Sequence, residues 1–153
     1  MPMIEVTAVT GSIPEAKTPA LLDELATILL RWEGAPDTEF FREITWVYLN
    51  EIDPARLAVG GRGGGEPRFR VDITVPEGAL SQRRKAGLIA DVHTAVVTAA
   101  GLDPNSAQAL HVWTLIRDVP EGNWGAAGQA IAFADLKNAA AAARESSNGG
   151  GPG

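Results

Sequence analysis

The sequence predicts an α+β fold in which two consecutive β-α-β units form one four-stranded mixed sheet with two helices on one face. The main observation is an internal repeat, because shifting the chain by 67 residues aligns its two halves without a gap. The other observations are the strand and helix patterns that both halves share. Identical or similar residues are aligned along the whole length of the two halves: Thr7 with Thr74, Gly11 with Gly78, Leu21 with Leu88, Thr27 with Thr94, Gly34 with Gly101, Trp46 with Trp113, Glu51 with Asp118 and Gly61 with Gly128.

Each half begins with a strand pattern. Apolar and polar residues alternate over residues 4–8 in the first half and over residues 69–75 in the second. A period of two is typical of a half-buried strand. Gly11 and Gly78 then mark the turns from strand to helix.

A helix pattern follows in the first half. Apolar residues within 21–32 recur at i, i+1, i+4, i+7, i+8 and i+11, which is the stripe of an amphipathic helix. Its start has two interpretations. Ser12 with Glu15 forms a capping-box pattern, but that start would place Pro19 inside the helix. A later start with Thr18 as the cap and Pro19 as the first helical residue avoids this loss.

The second half repeats the helix between Ser81, its predicted cap, and Gly101, just as the first helix is predicted to end at Gly34. The second strands, at residues 44–49 and 112–116, are apolar on both faces, as expected of parallel strands. The helices would cover only one face of the sheet. The Trp, Tyr, Leu and Ile side chains of the other face predict that it packs against other subunits.

These patterns divide a single fused domain into four parts. The first β-α-β unit with a glycine-rich linker spans residues 2–66, and the second unit spans residues 67–130. A C-terminal helix is predicted at 131–145 and a flexible tail at 146–153. The linker has no GxxxxGK[ST] pattern and no helix directly after it, which argues against a phosphate-binding loop.

Composition excludes several classes of protein. The net charge of -6 argues against binding to nucleic acid or to anionic membranes. Without cysteine there is no disulfide, thiolate metal site or cysteine nucleophile, and the two histidines, His93 and His111, offer little for a metal site. No apolar run reaches the roughly 18 residues of a membrane span, and the N-terminus has no signal-peptide pattern. The prediction is a cytoplasmic protein without a metal.

The two ends of the repeat carry a recognisable pattern. Proline directly follows the initiator methionine, and the second half closes with DVPEGNWGAAG, residues 118–128. Asp118, Trp124 and the glycines of this segment match an acidic residue and a small loop before an aromatic-Gly-x-x-Gly sequence. Over residues 2 to about 130 the chain thus resembles the tautomerase superfamily, whose founding member is 4-oxalocrotonate tautomerase.

The resemblance is to fused, double-length members related to macrophage migration inhibitory factor and cis-3-chloroacrylic acid dehalogenase. It implies a homotrimer, no cofactor, and active sites at the subunit boundaries, each built on one N-terminal proline. Phe69 stands where the second half would have the equivalent of Pro2, and its peptide nitrogen is not basic. We therefore expect one site per chain.

Pro2 is the candidate catalytic residue. Removal of Met1 is expected because proline is a small second residue, and it would expose a secondary amine. A free α-amine has a pKa of about 8, and burial or a nearby cation would bring it towards neutrality, where a general base works best. If Met1 stays, the nitrogen is an amide and cannot act as a base. Pro2 would then only begin a strand.

The candidate substrate-binding residues are Arg117, Trp113, Trp124, Tyr48 and Trp46. Arg117 lies on the same strand face as Trp113 and would bind a carboxylate in bidentate fashion, or else is a solvent-exposed arginine at a strand end. The tryptophans would form the apolar wall of a pocket or pack in the core or the trimer. Tyr48 would orient a water or polarise a carbonyl, or pack at an interface.

The resemblance implies an isomerase, a tautomerase acting on a small keto-enol or unsaturated carbonyl acid. The two arginines of the founding member are absent, since Ser12 and Ala79 follow the turn glycines and Trp46 and Trp113 stand in the second strands. This argues against dicarboxylate substrates. Two alternatives remain open: hydration, dehalogenation or decarboxylation with Pro2 as an acid, and a non-catalytic trimeric binding or scaffold protein.

Overall fold

The computed structural model describes residues 2–148. Its longer elements follow the predicted order. In chain order the helices and strands are β1 (Met3–Val9), α1 (Thr18–Glu33), α2 (Glu39–Glu43), β2 (Trp46–Ile52), β3 (Ala58–Val59), β4 (Arg62–Gly63), β5 (Phe69–Pro76), α3 (Gln82–Ala99), β6 (Val112–Val119), β7 (Gly125–Ala126), β8 (Gln129–Ala130) and α4 (Phe133–Asn148).

The four long strands form one sheet in the order β2-β1-β5-β6. The outer pairs are parallel and the central pair, β1 with β5, is antiparallel. α1 and α3 pack on one face, where their apolar stripes meet the inward side chains of β1 and β5 in a single core. The predicted α+β fold, with a mixed four-stranded sheet and two helices on one face, is confirmed.

The internal repeat is visible in the register of the strands. Met3 pairs with Trp46 in the first parallel pair, and Arg70 pairs with Trp113 in the second. In both pairs the partner lies 43 positions further along the chain. Each tryptophan also donates its indole N–H to a carbonyl three residues earlier, at 3.0 and 3.1 Å. The two units therefore have equivalent side-chain contacts as well as the same topology.

The glycine-rich linker contains part of a hairpin that the sequence analysis did not predict. β3 and β4 flank a turn at residues 60–61, and β7 and β8 flank the corresponding turn at residues 127–128. The four turn residues have φ of 61°, 79°, 51° and 76°, the left-handed backbone of a type I′ turn. The repeat, with its spacing of 67 residues, therefore continues to the end of β8. The predicted boundaries at 66/67 and 130/131 stay predictions and fall between elements.

The helix ends agree with the glycine signals. Gly34 adopts φ of 71° and its N–H bonds back to the last turn of α1, while Ser81 accepts a hydrogen bond from the N–H of Arg84 at 3.3 Å at the start of α3. The start of α1 matches neither predicted cap fully. A short 3₁₀ turn precedes Thr18, no side chain caps the helix, and Pro19 lies in the first turn, where its missing N–H has no partner to lose.

The sheet face without helices is more polar than predicted. Large apolar side chains are exposed on it, as the pattern indicated, namely those of Trp46, Tyr48, Trp113 and Leu115. Ile116, however, points to the helices, because it alternates with Leu115 along β6.

The centre of this face holds Asp72. Its buried carboxylate accepts hydrogen bonds from Arg70 Nε at 2.7 Å and from Arg117 Nη2 at 2.9 Å. The open face is therefore an apolar surface with a charged centre.

α2 and α4 form a second, smaller core. Thr38 caps α2, and Phe41 packs with Leu30 of α1 and Ala140 of α4. The sequence analysis did not predict α2, and α4 starts two residues later than predicted and ends later. Residues 146–148 of the predicted tail belong to α4, and residues 149–153 lie outside the described residues. No helix within residues 2–148 is both long and apolar enough to cross a membrane.

α1 and α3 approach closely where Trp32 lies over Gly87. A Cβ at position 87 would stand 2.1 Å from Cη2 of Trp32, and Asp91 holds that ring by accepting its indole N–H at 2.7 Å. We expect Gly87→Ala to lower the free energy of unfolding by about 1–3 kcal/mol, because the core cannot take the extra methyl group without shifting. Chemical denaturation measures this. Thr98→Ala, on the exposed side of α3, is the control, and equal stability of the two variants would contradict the expectation.

Candidate active site around Pro2

Pro2 lies directly before the central strand β1. It is buried, and its carbonyl accepts a hydrogen bond from the N–H of Trp46 at 3.2 Å. The next residue, Met3, pairs with Trp46 on one side and with Thr74 of β5 on the other. Because β1 has neighbours on both sides, Pro2 is fixed at one end of the sheet. Two cavities meet there.

The first, which we call the helix-side cavity, has a volume of about 250 Å³. It lies between Pro2, the end of α1, the turn before α3, and α4. Most of its wall is apolar: Leu30, Ala35, Phe41, Pro76, Ala79, Phe133, Leu136 and Ala140. Its charged residues are Glu33, Glu77, Arg84, Lys137 and Arg144. The cavity thus combines apolar walls with an excess of positive charge.

Glu33 is the unusual member of this cavity. Its Oε1 is buried and accepts no hydrogen bond within the part of the chain that the structure describes. Burial raises the pKa of the Glu33 carboxyl to about 7, and the positive charge at the chain's amino terminus partly opposes that shift. The sequence analysis missed this residue. The available signal was its spacing, since Glu33 continues the buried row of Leu25 and Leu29 at i+4.

The second, which we call the sheet-side cleft, is wider, at about 940 Å³. Pro2, Met3 and Thr74 form its floor at the sheet, and Trp46 and Trp124 are its aromatic walls. The remaining lining residues come from α2 and from the segment that closes the second unit: Glu43, Ile44, Val119, Asn123, Gly125, Ala126 and Ala127. The closing hairpin positions Trp124, whose carbonyl accepts the N–H of Ile131 at 2.8 Å.

The comparisons with known proteins agree with this architecture. Residues 70–134 match the family model described as "Tautomerase enzyme". A fused 4-OT described as a wild-type symmetric trimer is 28% identical, with a TM-score of 0.69 over 87% of this chain and 98% of that one. The second β-α-β unit is thus similar to the tautomerase family, and the chain as a whole has the fold of a fused 4-OT.

Two further solved structures share the fold. Pt0534 inactivated by 2-oxo-3-pentynoate is 21% identical, with a TM-score of 0.71 over 87% of this chain and 98% of that chain. N1, a member of the cis-3-chloroacrylic acid dehalogenase family, is 22% identical, with a TM-score of 0.68 over 84% of this chain and 82% of that chain. No curated protein matches the sequence significantly.

Within this tautomerase fold, three of the predicted site residues lie together. Pro2, Trp46 and Trp124 all line the sheet-side cleft. Tyr48 lies two residues beyond Trp46 on the same strand face, is exposed, and does not line either cavity. Trp124 shares this cleft with Pro2, and its role as a pocket wall stays a prediction.

Arg117 and Trp113 are placed differently from the prediction. Arg117 is in register with Thr74, near Pro2, but its guanidinium bonds to Asp72 and lines neither cavity. Trp113 is in register with Arg70, four residues back along β6 and therefore about 13 Å from Arg117. Within one chain, Trp113 does not reach the Pro2 site.

The remaining titratable candidates have structural partners. His93 contacts the carbonyl of Ala109 at 2.9 Å, as expected of a packed histidine, and His111 contacts Arg68 at 2.9 Å near the Trp113 end of the sheet. Asp118, the acidic residue of the closing motif, forms an ion pair with Lys85. Within residues 2–148, no group of three or more His, Asp or Glu residues is arranged to hold a metal ion.

Proposed function

We propose that this chain is a cofactor-independent tautomerase that uses the α-amine of Pro2 as a general base on a small keto-enol or unsaturated carbonyl acid. The observation that supports it is the burial of Pro2 where the helix-side cavity and the sheet-side cleft meet. Removal of Met1 would leave a secondary amine at that junction. Burial disfavours the charged form of an amine, which lowers its pKa from about 8 towards neutrality.

The reaction would need little beyond a positioned base and an apolar wall. The neutral amine takes a proton from the carbon next to the substrate carbonyl, and the electron pair of the C–H bond moves into the enol. The ammonium form then returns the proton at another position of the conjugated chain. Trp46 and Trp124 would pack against the planar, unsaturated intermediate and exclude water.

The experiment that tests this function combines the intact mass of the purified protein with a ketonisation assay. The mass shows whether Met1 has been removed, and phenylenolpyruvate or a 2-hydroxydienoate serves as substrate. We expect a chain without Met1 and a measurable rate. Turnover by protein that retains Met1 would sink the proposal, since a proline amide nitrogen has no basic lone pair. Absence of turnover with both substrate types would favour the binding or scaffold alternative.

We place the carboxylate of the substrate on Arg84 rather than Arg117. A Cβ built at Gly34 would lie 3.8 Å from both terminal nitrogens of Arg84, so that guanidinium reaches the cavity next to Glu33. Arg117 is already bound to Asp72. The sequence alone places Arg117 on a strand face but does not show which groups its guanidinium contacts.

We expect Arg84→Gln to raise KM about 10-fold or more while kcat stays within about 2-fold, because a charge-assisted bidentate contact contributes roughly 1.5–3 kcal/mol to binding. Steady-state kinetics on the same substrate measures both constants. Arg117→Gln is the matched control and should leave KM near the wild-type value. A larger KM effect for Arg117→Gln would return the carboxylate to Arg117.

A further inference from the structure

Glu33 is a half-buried acid, with a fully buried Oε1, in the cavity that also contains Pro2, and the proton transfers described above do not involve it. We propose that the Glu33 carboxylate is the ion-pair partner of the ammonium form of the Pro2 amine, so that the two groups share one proton within the helix-side cavity. The inference rests on the proposed function only in that both require the removal of Met1.

The first observation is the position of Glu33 relative to Pro2. It is the last residue of α1, and Gly34 ends the helix with φ of 71°, which fixes the direction in which the chain leaves. Glu33 and Pro2 both line the helix-side cavity. The carboxyl group is therefore held at the same small space as the first residue of the mature chain.

The second observation is that one carboxyl oxygen of Glu33 has no hydrogen-bond donor among the described residues. Oε1 is buried and accepts no hydrogen bond from any described residue. A buried acceptor without a donor destabilises a fold, so packing does not explain this residue. A protonated secondary amine carries two N–H donors and a positive charge, and it would supply the donor that Oε1 lacks.

The surrounding charges support the same pairing. The other charged groups that line the cavity are Arg84 from α3, Lys137 and Arg144 from α4, and Glu77 from the turn before α3. Although three of these four are cations, burial still raises the pKa of Glu33 to about 7. With Met1 in place, the positive charge at the amino terminus lowers that pKa, and removal of Met1 would transfer this charge to the nitrogen of Pro2.

The coupling works in both directions. An ammonium that lowers the pKa of the carboxyl must itself have its pKa raised by the carboxylate, because the interaction free energy belongs to the pair. Burial alone would push the pKa of the amine down, and Glu33 offsets part of that shift. At neutral pH the pair would hold one proton. It moves to the carboxyl when the amine acts as a base, and it returns to the amine after the ammonium has delivered its proton to the substrate.

The test measures the basicity of the amine without relying on catalysis. The reagent 2-oxo-3-pentynoate is an alkynyl ketone, and only a neutral amine can add to its alkyne carbon farther from the carbonyl. The N–C bond forms, and the amine's proton moves to the neighbouring carbon. Intact mass then follows the gain of one reagent molecule as a function of pH, and peptide mapping locates it at Pro2.

We expect Glu33→Gln to lower the midpoint of the pH–rate profile by about one unit or more, because removing the negative charge makes the ammonium easier to deprotonate. Well below both midpoints, this makes alkylation about 10-fold faster than in the wild type. Glu33→Asp keeps the charge and should shift the midpoint less. Glu77→Gln removes the other carboxylate of the cavity, which is exposed, and should leave the midpoint unchanged.

The outcomes separate this inference from the proposed function. Equal midpoints for wild type and Glu33→Gln overturn the pairing, even if the protein is an active tautomerase. A shifted midpoint without keto-enol turnover upholds the pairing and rejects the proposed reaction. Retained Met1 rejects both. A melting curve for Glu33→Gln at pH 8 checks its folding, and we expect a Tm no lower than wild type, since the variant removes a carboxylate that is unfavourable when buried.

Discussion

Replacing Pro2 with alanine is expected to lower kcat/KM for a keto-enol substrate by about 10²–10⁴-fold, the usual contribution of a positioned general base. Alanine leaves a primary amine on a flexible first residue, whereas the proline ring holds a secondary amine in one orientation. Pro2 is buried before a central strand, so its nitrogen is held at the end of the sheet. Steady-state kinetics, with the mass of each variant recorded, measures the effect.

Two comparisons make this result interpretable. Pro14→Ala changes an exposed proline before the 3₁₀ turn and should leave kcat/KM unchanged. The Pro2 variant should keep the melting temperature and the oligomeric state of the wild type, since only the end of one strand is altered. Full activity in Pro2→Ala would show that turnover does not need the secondary amine of proline.

The repeat explains why so much of the fold could be predicted. Strand alternation, helix stripes and paired glycines each describe local structure, and the shift of 67 made them agree across both halves. The parts that were missed depend on contacts between distant segments. α2 is only five residues long, and its Phe41 is buried by α1 and α4, so its environment is set by residues about 10 and 100 positions away.

The sequence predicts which face of a strand each site residue occupies, but not which end of the sheet the residue lies at. Trp113 and Arg117 do share a face, yet the direction of β6 relative to β1 decides which of them lies near Pro2. That direction follows from the antiparallel pairing of β1 with β5, which no local pattern in the sequence specifies. Glu33 was missed for a related reason: a carboxylate at the end of a helix stripe indicates a solvated helix end unless the segment that covers it is known.

A second large effect is expected from a substitution on the open face of the sheet. We propose a homotrimer in which this face packs against neighbouring subunits, because Trp46, Tyr48, Trp113 and Leu115 would otherwise be left in water. A fused 4-OT of the same fold is described as a symmetric trimer. Asp72 would support such an interface by neutralising two arginines at the centre of the face.

Leu115→Glu is expected to dissociate the trimer into monomers at micromolar concentration. Leu115 is 41% exposed in the single chain and is in register with Asp72, so a glutamate there would put a second carboxylate beside a buried one and carry an unpaired charge into the interface. Light scattering coupled to size-exclusion chromatography measures the mass directly. Ile89→Glu is the matched control, because Ile89 is 40% exposed but belongs to α3, on the other side of the sheet. If Leu115→Glu and Ile89→Glu both keep the wild-type mass, the open face is not the interface. If the wild type is itself a monomer, the Pro2 site must be complete within one chain.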